Sequence, residues 1–273
     1  MGASSIRAVV FDVGNTLWFE AHRPDPVEIV RLQADRLRPL LERWDVTLPC
    51  AAEDVVADVH AAGDEAARVE SERGTFREVD VPFLLRGALA VRGVDITRGQ
   101  ATEAWHQTWI LERHFGVQLY PDTLDVLREV RAAGVLIGIN TNRPCTAEMH
   151  MPGLHDMGIG EYVDAVACSG DTGYCKPHRS TFELVLAKLG VAPGEAMMVG
   201  DGAGIDMRGG KAAGMTTVWK LNGRYDLPAC PEADYQIHDL AELLALPVLD
   251  LGERRAVAAE SLTPHEDGNA ERY

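Results

Sequence analysis

Lysine is nearly missing from this chain: only four occur in 273 residues (Lys176, Lys188, Lys211 and Lys220), and residues 1–175 contain none. The other basic residues are arginine, and together they are outnumbered, 26 basic against 42 acidic, for a formal net charge of -16. Such a chain lacks the broad basic face that attracts nucleic acid or anionic lipid, so polyanion binding is excluded. Closely spaced cysteine pairs are missing too. The five cysteines (Cys50, Cys145, Cys168, Cys175 and Cys230) form no C-x-x-C motif, which fits neither a disulfide framework nor a zinc site, and reduced thiols are expected. No apolar run approaches the roughly 20 residues that span a bilayer, and the start, MGASSIRAVVFD, has no long apolar stretch before a cleavage site. The expectation is a soluble cytoplasmic protein, monomer or homodimer, with no nucleic-acid or membrane partner.

With 46% hydrophobic residues the chain can build a substantial core. Short runs of apolar and β-branched residues recur at Ala8–Phe11, 135–139, 163–167, Ala196–Val199 and 216–219, with helical patterns between them. That alternation predicts an α/β fold with a Rossmann-like parallel sheet. Helices are expected over 123–133 and 181–189, each closed by a glycine, Gly134 and Gly190. A first strand followed by one crossover helix reaches its second strand within about 30 residues. Here the second strand lies far beyond that, so something is inserted. Val27, Val30, Ala34, Leu37, Leu41 and Trp44 follow helical spacing, as do Val55, Val59, Ala62, Ala66 and Val69. A third helical pattern follows Thr97, with Trp105 on its packed face, and Pro39 is expected to kink or divide the first helix. The expected organisation is an α/β core from 1–22 and 117–250, a helical insert over 23–116, and a flexible tail over 251–273. Hinges are expected near 23–26 and 116–121.

In a parallel sheet, ligands bind at the carboxyl ends of the strands. The first strand ends in Asp12-Val13-Gly14-Asn15-Thr16, the second in Asn140-Thr141-Asn142, a later helix opens near Lys176-Pro177, and the fourth strand leads into Gly200-Asp201-Gly202-Ala203-Gly204-Ile205-Asp206. Singly, each of these is an ordinary cap or turn. In this order the chain resembles the haloacid dehalogenase superfamily over nearly all of residues 6–240, through FDVGNTL at 11–17, INTN at 139–142, the Lys176-Pro177 pair and VGDGAGIDMRGGKAAGMTTVW at 199–219. The helical insert resembles that family's C1 cap.

The resemblance implies a phosphohydrolase acting on a small phosphorylated metabolite, with Asp12 as nucleophile and an aspartyl-phosphate intermediate. It further implies phosphate binding by Thr141, Asn142 and Lys176, and Mg2+ held by Asp12, the Gly14 backbone carbonyl and Asp201. Asp206 is expected to orient metal-bound water or Lys176. The lysine distribution adds its own expectation, that no lysine other than Lys176 lies near a strand end on this side.

One position departs from the family pattern. Most phosphatases of the superfamily carry an acid/base Asp two residues after the nucleophile, where this chain has Gly14. General acid–base catalysis is worth about 10²–10⁴-fold. Its loss leaves three readings open: a substitute donor among Glu20, His22, His106 and His114; a 2-haloacid dehalogenase; or a low-turnover ligand- or partner-binding protein. Arg23, Arg77, Arg86, His106 and Arg113 are expected on solvated helix faces.

Overall fold

The computed structural model describes residues 6–22, 25–224 and 227–251. Six strands form one parallel sheet in the order β5-β4-β1-β6-β7-β8. They are β1 (Ala8–Phe11), β4 (Leu136–Thr141), β5 (Ala165–Cys168), β6 (Ala196–Gly200), β7 (Thr216–Lys220) and β8 (Tyr235–Ile237). The central β1 pairs with β4 on one side and β6 on the other. The chain therefore builds outward in one direction through β4 and β5, then returns to extend the other edge. That reversal opens a crevice at the carboxyl end of β1, where Asp12 follows.

Both sheet faces are covered, which is why the strands read as continuous apolar runs. Val9, Phe11, Ile137 and Ile139 pack with Leu127 and Val130 of α5 (Thr123–Ala132). Ala8, Val10 and Met198 pack with Phe182, Val185 and Leu189 of α8 (Arg179–Leu189). The remaining core helices are α6 (Ala147–Asp156), α7 (Ser169–Thr172) and α9 (Arg208–Ala212).

The insert folds as four helices, α1 (Pro26–Arg43), α2 (Ala52–Arg73), α3 (Val81–Ala90) and α4 (Arg98–Thr108). They enclose a separate apolar core that includes Ala34, Leu37, Leu41, Val55, Leu85, Leu89 and Ala101. Local signals set their ends. Asp25 caps α1 by accepting from Val27 N at 2.9 Å, Gly74 closes α2 in the left-handed region, and Thr97 with Gln100 forms a capping box on α4. Pro39 does not divide α1: it removes one backbone donor near the end of the helix, while Leu37, Leu40 and Leu41 around it are buried. Helix α3 was not expected from the sequence. VPFLLRGALA is ten residues long and apolar nearly all round, so it carries little helical periodicity.

The two chain crossings between core and insert run side by side as a small antiparallel ribbon, β2 (Trp18–Glu20) with β3 (Val117–Leu119), extended by Ala21 N donating to Gly116 O at 3.0 Å. Arg23, Pro24 and residues 252–273, where one hinge and most of the flexible tail were expected, lie outside the described residues. Leu251, assigned to that tail, is instead buried in the main core. Among the described residues no helix is long and apolar enough to cross a membrane.

Candidate active site

Asp12 N donates to Val199 O at 2.9 Å, which continues the β1–β6 ladder one residue past the strand and fixes the carboxylate at the sheet edge. The chain then turns sharply, with the amides of Thr16, Leu17 and Trp18 all directed at Val13 O. Asn15 occupies the left-handed region at φ 56°, which asparagine tolerates better than most residues. The Thr16 hydroxyl donates back to Asp12 Oδ2 at 3.3 Å.

Lys176 arrives from the loop before α8 and is buried. Its ammonium donates to Asp12 Oδ1 at 2.7 Å, to Asp206 Oδ1 at 2.7 Å and to Asn140 O at 2.8 Å, which uses all three of its protons. Burial opposes charge on this amine, but the two flanking carboxylates outweigh it and hold the ammonium above the ordinary lysine range. Asp206 reaches this position because glycines clear its path. A Cβ on Gly200 would fall 2.4 Å from Asp206 Oδ2, and Gly202 N donates to that same oxygen at 3.0 Å. Burial pushes Asp206 up to about 7 against the pull of Lys176, with the Asp12 charge adding to the rise.

Asp201 sits half-buried on the other side of Asp12. Its carboxyl is raised by burial and then by the negative charge of Asp12, and Arg224 Nη2 lies 3.5 Å from its Oδ2. One carboxylate oxygen each from Asp12, Asp201 and Asp206 falls within 4.8 Å of the others. An all-oxygen, acidic donor set of this kind suits a hard divalent cation. Asp206 is bonded to Lys176 and Gly202 and Asp12 to Lys176 and Thr16, so Asp201 is the carboxylate of the three least engaged by hydrogen bonds.

Thr141 ends β4 and is buried, one residue after Asn140, whose carbonyl accepts from Lys176. Asn142 is used differently from the expected phosphate contact: its Oδ1 accepts from Lys176 N at 2.6 Å and its Nδ2 donates to Lys176 O at 3.3 Å. The side chain clamps the backbone that carries the lysine.

One expectation is overturned. Lys220, at the carboxyl end of β7, is a second buried lysine on this side: its ammonium lies 3.4 Å from Asn15 O, bonds to Asn222 Oδ1, and sits 3.4 Å from the Tyr120 ring centroid. Burial lowers it to about 8, against the attraction of Asp122, Asp201 and Asp239. The signal was present, since the strand expected at 216–219 ends immediately before it.

A cleft of about 530 Å³ opens over the β1 turn, lined by Gly14, Asn15, Trp18, Glu20, Phe115 and Arg143. A Cβ on Gly14 would meet nothing within 4 Å, so space does not require glycine here. Of the four candidate proton donors only Glu20 lines this cleft. His22 packs on Gly116, where a Cβ would fall 2.5 Å from its ring, and His106 lines a separate cavity with Glu78 and Thr146. Burial and the charges of Arg113 and Arg36 lower His114.

Arg143 was not singled out from the sequence. Its guanidinium lies 5.6 Å from the Trp18 ring centroid and 3.3 Å from Glu112 Oε1, and His150 Nδ1 lies 3.1 Å from the same oxygen. Burial works against the Glu112 charge, yet His150 and Arg143 hold its carboxyl below the usual range. Only the position of Arg143 next to Asn142 hinted at this role. Of the arginines expected on solvated faces, Arg113 pairs with Asp156 and Arg86 donates to Ile96 O at 2.9 Å.

A family model for haloacid dehalogenase-like hydrolases matches residues 6–214. The chain belongs to this family. Phosphoserine phosphatase from Thermus thermophilus is 35% identical over 133 residues, 48% of this chain and 52% of that protein. Human N-acylneuraminate-9-phosphatase is 28% identical over 257 residues, 90% of this chain and 95% of that protein. Several of the curated relatives, including a ribulose-1,5-bisphosphate 5-phosphatase and a pyrophosphatase, are matched over about half of their length. Among solved structures, a 2-haloacid dehalogenase from Pseudomonas syringae pv. Tomato DC3000 superposes with a TM-score of 0.57 at 25% identity, covering 89% of this chain and 98% of that one.

Proposed function

We propose that this family member is a Mg2+-dependent phosphohydrolase acting on a small phosphorylated metabolite through an aspartyl-phosphate on Asp12. The observation that carries the reading is the bridge of Lys176 between Asp12 and Asp206, which sets an ammonium against the Asp12 carboxylate at the sheet's carboxyl edge, with Asp201 close by. An Asp12 oxygen attacks phosphorus, the bond from phosphorus to the ester oxygen breaks, and the electron pair leaves with that oxygen. Water then attacks the same phosphorus, restores Asp12 and releases inorganic phosphate.

Phosphoryl transfer needs fixed donors and cations around the phosphoryl oxygens. Lys176 supplies an ammonium, Thr141 a hydroxyl, and the turn after Asp12 its backbone amides. Asn142 contributes by holding Lys176. Asp12, Asp201 and the Gly14 carbonyl would hold Mg2+, which when bound offsets negative charge between nucleophile and phosphate. Asp206 orients Lys176. Without an Asp at position 14, the leaving oxygen takes its proton from Glu20 or from water. Helices α1–α4 act as the cap, and the enzyme works in the cytoplasm.

The test is a Mg2+-dependent screen of aryl phosphates, alkyl phosphates and 2-haloacids with the wild type and Asp12→Asn. Phosphate release is expected, faster from aryl esters, and reduced at least roughly 10³-fold in the variant. Release that persists in Asp12→Asn rejects the covalent route. Metal-independent halide release points to dehalogenation, and silence on every compound points to a binding protein.

A further inference from the structure

A second cavity, of about 390 Å³, lies under the helical cap and is walled mainly by apolar and aromatic side chains, among them Ile29, Leu37, Val56, Val59, Trp105 and Trp109. The two tryptophans stand edge to face, with centroids 5.2 Å apart and planes at 79°, forming a rigid corner. The cavity adjoins the catalytic side. Phe115 lines both this cavity and the cleft over Gly14, and Pro144, which also lines it, follows Thr141 by three residues. Three residues of chain span at most about 11 Å, so a molecule with one end near Thr141 can reach the cavity.

Charge decides what fits. Among the described residues no lysine or arginine lines this cavity. Its interior polar groups are neutral: Gln33 Oε1 pairs with His60 Nε2 at 2.5 Å, Gln33 Nε2 donates to Thr108 O at 3.3 Å, burial lowers His60, and the Trp109 indole N–H is buried without a partner among the described residues. Glu78 accepts from Val79 N at 2.7 Å and from Ser169, and Asp64 is exposed. A second phosphate or a carboxylate finds no cation here and meets two acidic groups.

We propose that this cavity takes the aromatic or large apolar group of the substrate alcohol while the phosphoryl group sits at Asp12, so the substrate class is a phosphate monoester of an apolar, preferably aryl, alcohol. The inference rests on the phosphohydrolase reading and narrows it. The missing acid at Gly14 agrees independently. An aryl oxygen carries off the electron pair of the broken phosphorus–oxygen bond as aryloxide and takes its proton from water afterwards, so it depends least on a protein donor.

The test compares 1-naphthyl, phenyl and ethyl phosphate and 2-phosphoglycolate with the full chain and Mg2+, alongside calorimetric titration with 1-naphthol. Phenol and 1-naphthol are of similar acidity, so their esters separate cavity binding from leaving-group ability. The KM for 1-naphthyl phosphate should lie roughly tenfold below that for phenyl phosphate, with similar kcat. Ala67→Trp, at an exposed position of α2 that lines the cavity, should weaken 1-naphthol binding and lower the naphthyl-to-ethyl ratio of kcat/KM, each by roughly tenfold. Equal KM for the two aryl esters, or preference for 2-phosphoglycolate, overturns the inference while leaving the phosphohydrolase intact. If no ester is hydrolysed but 1-naphthol binds and Ala67→Trp weakens it, the reaction fails and the cavity stands as an aromatic-binding site.

Discussion

At the carboxyl edge of the sheet, Lys176 lies 2.7 Å from both Asp12 and Asp206, all three buried, while the cavity under helices α1–α4 is lined by two half-buried tryptophans and an uncharged Gln33–His60 pair. The sheet edge can hold charge because strand ends and glycine-cleared loops place each partner at hydrogen-bond distance. The helical side has no such scaffold, and its side chains meet through shape. Under the proposed function, chemistry falls to the sheet edge and selection to the helical insert. The same contrast recurs between two lysines at that sheet edge: Lys176, between two carboxylates, is raised, whereas Lys220, set against a carbonyl and the Tyr120 ring, falls to about 8.

Breaking the charged side gives the largest effect. Lys176→Met leaves Asp12 and Asp206 buried without their cation, and removing one partner of a buried pair costs about 3–5 kcal/mol. Urea unfolding should register that loss along with loss of phosphate release. A stability close to wild type would mean that the triad carries little of the fold's stability. Gly14→Asp tests the gap in the acid–base machinery. The open space at Gly14 admits the side chain, so alkyl phosphate hydrolysis should rise by roughly 10²-fold or more. No gain assigns the proton to a residue already in place, with Glu20→Gln the next variant to assay.

The lysine contrast is sharpened by pH. A folded-state value near 8 lies below the ordinary lysine value of 10.5, so between them the unfolded chain binds more protons and wild-type stability gains with rising pH. Lys220→Met should remove that gain, about 1–3 kcal/mol across pH 8–10.5, as read by urea unfolding at several pH values. Identical pH profiles would contradict the lowered value. The smallest effect is expected at Glu112→Gln, which retains shape but takes a charge away from Arg143. The amide of glutamine keeps part of the contact, so the loss should be about 0.5–1.5 kcal/mol, measured by thermal unfolding.

Five of the six sheet strands and the helices at 26–43, 52–73 and 98–108 were legible in the sequence, because each runs long enough to display its apolar run, its period or its caps. The strand-end residues Asp12, Thr141, Lys176, Asp201 and Asp206 were legible for a related reason: a parallel sheet gathers its carboxyl ends into one crevice. Helix α3 and the β2–β3 ribbon were not, being short and lacking a distinctive period. Glu112 carries no local signature, and Arg143 and Lys220 have only their positions beside Asn142 and at a strand end. Their neighbours are distant in sequence, and contact between them depends on how the insert returns to the core.

By itself the sequence determined the alternation of strands and helices, the order of the chemistry-bearing residues and the absence of an acid at Gly14, since these depend on local pattern and identity. Only the tertiary structure decided which groups meet. It turned Asn142 onto the Lys176 backbone, placed Glu20 and Arg143 over the Gly14 cleft, and formed a cavity beside it that is lined with aromatic groups and has no lysine or arginine. Burial and partner distance set those outcomes, and both arise from packing between segments far apart in the chain.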